Sequence, residues 1–251
     1  MASDGRESRY EINDVTGMWI ARSEAQSEVS PLGTGEHDHP KQPVRILIAD
    51  DHEVVRQGVR TVLEGQSGWI VCGEARTGRE AVASAVDLRP DIVVLDIGMP
   101  ELNGLEATRQ IRRAVPAKIL ILSVHESDQV VTEVLDAGAH GYILKTDAGR
   151  TLVDAIRALL RHQEFFTDRI RPAGPRRGAA TATGRSGRLT PRQREILQLL
   201  TEGRSNKEIG VMLGMTTKTA ETHRTQIMSK LNLHSMSALV RYAIRNRIIE
   251  P

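Results

Sequence analysis

Residues 92–100 read Ile92-Val93-Val94-Leu95-Asp96-Ile97-Gly98-Met99-Pro100. Four apolar residues in a row, three of them β-branched, run into an acid and then into a turn signal of Gly and Pro. A strand that is apolar throughout must be covered on both faces, which is the condition of a parallel sheet packed between helices. The same signature recurs on either side. Val44–Ala49 runs into Asp50-Asp51, residues 118–122 into Ser123 and Gly141–Leu144 into Lys145, and residues 69–74 form a further apolar run. Between the runs lie stretches with one apolar helical face, such as Val54-Val55…Val59…Val62-Leu63 and Val130-Val131…Val134-Leu135. Strand and helix alternating five times predict an α/β domain over residues 44–162, a doubly wound five-stranded parallel sheet.

Outside this domain the chain changes character. Residues 1–43 contain few apolar residues without sustained period, and are expected to form a disordered tail. His37 and His39 within it are expected to be solvated. Residues 163–188 hold Arg171-Pro172-Ala173-Gly174-Pro175-Arg176-Arg177-Gly178 and then an Ala/Thr/Gly-rich stretch, the composition of a flexible linker. From residue 189 the period is wholly helical. Thr190 before Pro191 is an N-cap with proline in the first turn, and helices are predicted to about Gly203, over Asn206–Leu213, over 217–231 and over 235–245. Four short helices with Gly214 at a tight turn point to a small all-α helix-turn-helix domain over 189–251.

Charge divides along the same lines. Residues 1–43 and 44–160 each carry net −4, residues 161–184 net +3, and residues 185–251 net +7, with 12 basic against 5 acidic side chains. The single cysteine, Cys72, excludes a disulfide framework or a Cys-based structural zinc site, and is expected to fill buried volume. No apolar run approaches the roughly 20 residues of a membrane helix. The opening residues lack the apolar stretch of a secretory signal. The expectation is a soluble cytoplasmic protein with no membrane partner.

In a doubly wound sheet the chemistry sits at the carboxyl ends of the strands. Asp50, Asp51, Asp96, Ser123 and Lys145 all end strands there. Three carboxylates brought together repel unless a cation joins them, and hard oxygen ligands suit Mg²⁺. A lysine and a hydroxyl opposite are what would hold the oxygens of a phosphoryl group, with an aspartate as nucleophile. His52 and His125 flank the pocket and are expected to be solvated or capping. In the helical domain, Ala220, His223, Ile227 and Leu231 fall on an inward face of the helix from Thr217. Lys218, Glu221, Thr222 and Thr225 face outward near its start, where a recognition helix meets base edges, while Arg224, Lys207 and Lys230 suit phosphates of double-stranded DNA.

Residues 44–160, with Asp50-Asp51, Asp96-Ile97-Gly98-Met99-Pro100, Ser123 and Gly141-Tyr142-Ile143-Leu144-Lys145, resemble the receiver domain of two-component response regulators. Leu189-Thr190-Pro191-Arg192-Gln193-Arg194-Glu195, Asn206-Lys207-Glu208-Ile209 and Lys218-Thr219-Ala220-Glu221-Thr222-His223 resemble the LuxR-type helix-turn-helix, and the two together resemble NarL/FixJ-type regulators. The resemblance implies that Asp96 accepts a phosphoryl group from a sensor histidine kinase. It implies a Mg²⁺ held by Asp51 directly, by Asp50 largely through water, by Asp96 and by the Gly98 carbonyl. Ser123 and Lys145 would contact the phosphoryl group, Tyr142 would turn inward on activation, and the regulator would pair as a homodimer. Departures are Thr146, where many receivers have proline, Ala220 for valine, and Gly210 and Met212 in the second helix, expected to loosen packing slightly. Two other readings stand beside it: a phosphatase or phosphotransferase turning over on Asp96, for which no insertion is long enough to form a cap, and a phosphorylation-independent DNA-binding regulator with a vestigial pocket.

Overall fold

A computed structural model of the chain describes residues 10–12, 19–21, 42–124, 127–166, 189–246 and 248–249. Near the N-terminus, β1 (Tyr10–Ile12) and β2 (Trp19–Ala21) pair antiparallel. The rest of residues 1–41, His37 and His39 included, lies outside the described residues, as does His125.

From residue 44 the elements alternate as β3 (Val44–Ala49), α1 (Glu53–Glu64), β4 (Trp69–Ala75), α2 (Gly78–Leu88), β5 (Ile92–Asp96), α3 (Gly104–Ala114), β6 (Lys118–Ser123), α4 (Asp128–Ala137), β7 (Gly141–Leu144), α5 (Ala148–Leu160) and β8 (Phe165–Phe166). The sheet order is β4-β3-β5-β6-β7-β8 and every pairing within it is parallel. Alternate residues of each strand enter opposite cores. Leu47, Val93, Leu95, Ile119, Ile121 and Tyr142 pack with α2, α3 and α4, whereas Ile46, Ile48, Val94, Leu120 and Ile143 pack with α1 and α5. Burial on both faces is why these strands are apolar without alternation. β3 lies between β4 and β5, so the chain winds both ways from it and leaves a crevice at its carboxyl end.

The sheet has six strands where five were expected. Phe165–Phe166, in the segment expected to begin the linker, pairs with Gly141 and Tyr142. β7 would otherwise expose an unpaired edge, and Gly141 permits the approach: a Cβ there would stand 2.9 Å from the Phe165 carbonyl oxygen. Residues 167–188, the remainder of that linker, lie outside the described residues.

The C-terminal region is α6 (Pro191–Thr201), α7 (Asn206–Leu213), α8 (Thr217–Lys230) and α9 (Met236–Arg245). Thr190 with Gln193, and Ser205 with Glu208, form reciprocal capping boxes that set the starts of α6 and α7. Gly214 ends α7 in the left-handed conformation at φ 62° and turns the chain into α8. Gly210, expected to loosen the module, is demanded by that turn. A Cβ there would lie 2.8 Å from the Met215 carbonyl oxygen, so the close crossing of α7 and the turn needs a residue without a side chain. Ile196, Leu197, Leu199, Ile209, Ala220, Ile227, Leu239 and Ala243 form its core.

Candidate functional site

The carboxyl ends of β3 and β5 bring Asp50, Asp51 and Asp96 together. One ligand atom from each of these and from His52 lies within 4.8 Å of the others. Asp50 and Asp96 are buried, and Asp51 and His52 exposed, so the cluster is an acidic floor open on one side. Asp50 is held by a hydrogen bond and an ion pair: its Oδ1 accepts the His52 backbone N–H at 2.9 Å and its Oδ2 faces Lys145 Nζ at 2.8 Å. Lys145 follows β7 in a 3₁₀ turn and also reaches Asp96 Oδ2 at 3.0 Å, bridging two of the three acids. Burial alone would lower the Lys145 pKa, but the Asp96 and Asp50 carboxylates outweigh it and hold the ammonium above its ordinary value. Lys145 is a cation at any working pH.

The other residues expected at the pocket are placed as follows. Ser123 ends β6, and its backbone is one residue beyond Leu122, the register partner of Asp96. It is 1% exposed. Gly98 lies two residues past Asp96, in the loop between β5 and α3. That loop is held close to the strand, because a Cβ at Gly104 would stand 1.9 Å from the Asp96 carbonyl oxygen. Tyr142 is wholly buried beside Ile119 and Ile121, so it already occupies the inward position to which a turn was expected. His52 is exposed, with Nδ1 2.8 Å from Asp51 Oδ1, and precedes α1 without capping it through its side chain. Cys72 is partly buried against the core, which raises its thiol pKa.

Sequence reasoning missed Arg56. On the buried face of α1, its Nη1 donates to the backbone carbonyls of Asp50 at 2.8 Å and Asp51 at 3.2 Å, and its Nε to Glu74 Oε2 at 3.2 Å. It clamps the two residues that supply the carboxylates. The signal was its spacing of three and seven from Val59 and Leu63, the side of α1 that packs on the sheet.

An oxygen-rich set of three carboxylates with one imidazole fits a hard divalent cation. A strand-end carboxylate beside a cationic lysine and a nearby hydroxyl fits phosphoryl chemistry.

In the helical module, α8 carries Lys218, Glu221, Thr222, Arg224 and Thr225, all exposed, while Ala220 and Ile227 are fully buried. His223, expected to face inward, is half-buried. The Thr222 and Thr225 hydroxyls donate back to the carbonyls of Lys218 and Glu221 at 2.9 and 3.1 Å. Both therefore present oxygen lone pairs and methyl groups outward, and a threonine methyl can pack on a thymine methyl. Lys207 is exposed on α7. Lys230 is half-buried and its Nζ donates to Gln193 Oε1 at 3.3 Å, which makes it the least available of the expected phosphate contacts.

Residues 46–157 match the family described as response regulator receiver domain, and residues 187–243 match the luxR family of bacterial regulatory proteins. The transcriptional regulatory protein LiaR of Bacillus subtilis is 39% identical over 211 residues, covering 82% of this chain and 99% of LiaR. The chain is a LuxR-type response regulator. Similar to the regulator as well is the response regulator protein VraR of Staphylococcus aureus, at 37% identity over 208 residues, 82% of this chain and 99% of VraR. A crystal structure of a LuxR-family two-component response regulator from Aurantimonas has 37% identity, covers 51% of this chain and 92% of its own, and superposes with a TM-score of 0.49. By its two family matches the regulator joins a receiver to a DNA-binding helix-turn-helix. Among its described residues no helix is long and apolar enough to cross a membrane.

Proposed function

We propose that the regulator binds promoter DNA under control of phosphorylation at Asp96, with the phosphoryl group supplied in the cytoplasm by a sensor histidine kinase. The observation that carries this reading is the convergence of Asp50, Asp51, Asp96 and Lys145 on one sheet edge, in a chain that also presents the exposed face of α8. A carboxylate oxygen of Asp96 forms the new bond to phosphorus as the bond to the donor's leaving group breaks. Asp50, Asp51, Asp96 and the Gly98 carbonyl would hold Mg²⁺, which supplies neutralisation of the charge on the phosphoryl oxygens. Lys145 shifts from Asp96 Oδ2 toward those oxygens, and the Ser123 hydroxyl donates to one of them. The modified residue carries roughly −2 where a single charge stood, and the regulator pairs as a homodimer on half-sites about one helical turn apart or a multiple of it. Lys218, Glu221, Thr222 and Thr225 read base edges; Arg224, Lys207 and Lys230 contact phosphates.

A small phosphodonor with Mg²⁺ should label the chain, and Asp96→Asn should abolish the label. Label persisting in that variant moves the acceptor elsewhere. One observation favours a second reading, in which DNA binding does not await phosphorylation: Tyr142 is already inward. Equal DNA affinity with and without phosphodonor would decide for it.

A further inference from the structure

The loop from Asp96 to α3 is gripped from the helix-turn-helix module. Gln198, on α6 and 1% exposed, donates from Nε2 to the Met99 carbonyl at 3.0 Å and accepts at Oε1 from the Asn103 backbone N–H at 2.7 Å. One turn further, at the C-cap of α6, Glu202 accepts the Glu101 backbone N–H at 3.0 Å and the Gln198 amide at 2.8 Å. Burial raises the Glu202 pKa, and these donors work against it. Around this grip, ion pairs cross in opposite senses: Arg79 of α2 to Glu195 of α6, and Arg194 of α6 to Glu106 of α3 at 3.0 Å.

The grip falls where the loop needs it. Within itself the loop closes only the Gly104 N–H to Ile97 at 2.9 Å and the Leu102 N–H to Pro100 at 2.8 Å. The Met99 carbonyl and the N–H groups of Glu101 and Asn103 are satisfied by α6 and its C-cap, in a setting where Met99, Leu102 and Asn103 are all buried. Glu101 sits at φ 66°, a left-handed conformation that a side-chain-bearing residue keeps only when its surroundings enforce it. The other side of the loop is pressed by α2, since a Cβ at Gly78 would stand 1.8 Å from the Leu102 carbonyl oxygen. Gly98 adjoins Met99 at the start of this loop. Meanwhile α8 stays exposed, so the grip leaves the reading face uncovered.

We propose that Gln198 and Glu202 are positioning residues for the phosphorylation site: the DNA-binding module braces the acceptor loop and so presets the Gly98 backbone for the metal. The proposal rests on the reading of Asp96 and Gly98 given above. It makes metal occupancy of the receiver and seating of α6 two sides of one equilibrium, each favouring the other.

The test is Mg²⁺ titration of the full chain, read calorimetrically and as the Mg²⁺ dependence of labelling by a small phosphodonor. Gln198→Ala and Glu202→Ala should each raise the Mg²⁺ half-saturation about 3- to 10-fold, at or below the low end of the range for outer partners of metal ligands. The labelling rate at saturating Mg²⁺ should stay within about twofold, because the reacting groups are intact. Glu202→Gln, whose amide oxygen still accepts from Glu101, should keep the parent half-saturation. Arg241→Ala, an exposed change on α9, should leave it unmoved. In both alanine variants, amide exchange at Glu101 and Asn103 should quicken while the β5 amides stay protected, which separates a loosened loop from a misfolded chain. Half-saturation unchanged in both alanine variants, or raised equally by Arg241→Ala, overturns the brace. A parent chain that takes no label overturns the phosphorylation reading instead, and the calorimetric titration then still decides the brace.

Discussion

At the scale of single residues, Arg56 does what the acidic pair cannot do alone. Two adjacent aspartates at a strand end repel each other, and the backbone carrying them is free to splay. A buried guanidinium bonded to both of their carbonyls fixes that backbone while leaving the carboxylates available. Its Nε–H goes to Glu74, which also pairs with Arg60 at 2.7 Å. Burial works to raise the Glu74 carboxyl, and the two guanidiniums outweigh it and hold the group below the usual carboxylate range. Arg56→Ala is expected to cost about 2–3 kcal/mol, because the buried Asp50 carbonyl and the part-buried Asp51 carbonyl lose their donor and Glu74 loses a partner. Arg56→Lys should recover less than half, since an ammonium cannot reproduce the planar fork. Native-state amide exchange along β3 measures both, and a loss below about 0.5 kcal/mol, the range of ordinary surface substitutions, would rule out the clamp. Arg56 shows the limit of the sequence. The strand-end acids were legible because apolar runs fix where strands stop. Nothing in an arginine on a helix announces which carbonyls it will meet.

Elements show the same contrast. Positions of the strands from β3 to β7 were legible because double-sided burial forces an apolar run. β8 was not, because two phenylalanines carry no period and the need for them lies in the open edge of β7. Likewise nothing in the sequence marks Gln198 on α6 and Glu202 at its C-cap, because their role exists only where the β5–α3 loop ends against them. The far end of the sheet holds a titratable junction of this kind. His140, just before β7, accepts the Ile119 backbone N–H at Nδ1 at 3.0 Å, and its Nε2 stands 3.3 Å from Arg112 Nη1. Burial first, then Lys118 and Arg112, lowers its pKa from 6.5 to about 4. Between those two values the unfolded chain binds a proton that the folded chain refuses, so stability is full above about pH 6.5 and is lost as the pH falls toward 4. His140→Gln should flatten the stability profile in that window. Chemical unfolding at a series of pH values provides the check, and an unaltered slope in the variant would place the acid sensitivity on other groups.

Over the whole molecule, the sign of the charge follows the partner each region is built to gather. Residues 44–160 carry net −4, where a cation is proposed to bind, and residues 185–251 carry net +7, where DNA is. The division makes DNA binding a process of counterion release, with log affinity falling linearly in log salt by about 0.9 per phosphate neutralised. Arg224 and Lys207 are exposed on consecutive helices, whereas Lys230 is tied to Gln193. Arg224→Ala or Lys207→Ala should therefore each reduce the salt slope by about 0.9 per chain, or about 1.8 for a dimer on paired half-sites, and should weaken specific and random DNA alike. Lys230→Ala should change the slope by less. Lys218→Ala with Thr222→Ala falls on the proposed reading face, and should lower the ratio of specific to random affinity about 10-fold or more, as one to two lost base contacts would. Filter binding or fluorescence anisotropy over a salt series, on one operator and one scrambled duplex, separates these outcomes. A slope change that follows the α8 readers and spares Arg224 and Lys207 would exchange the two assignments, because phosphate contacts set the salt dependence and base contacts set the ratio.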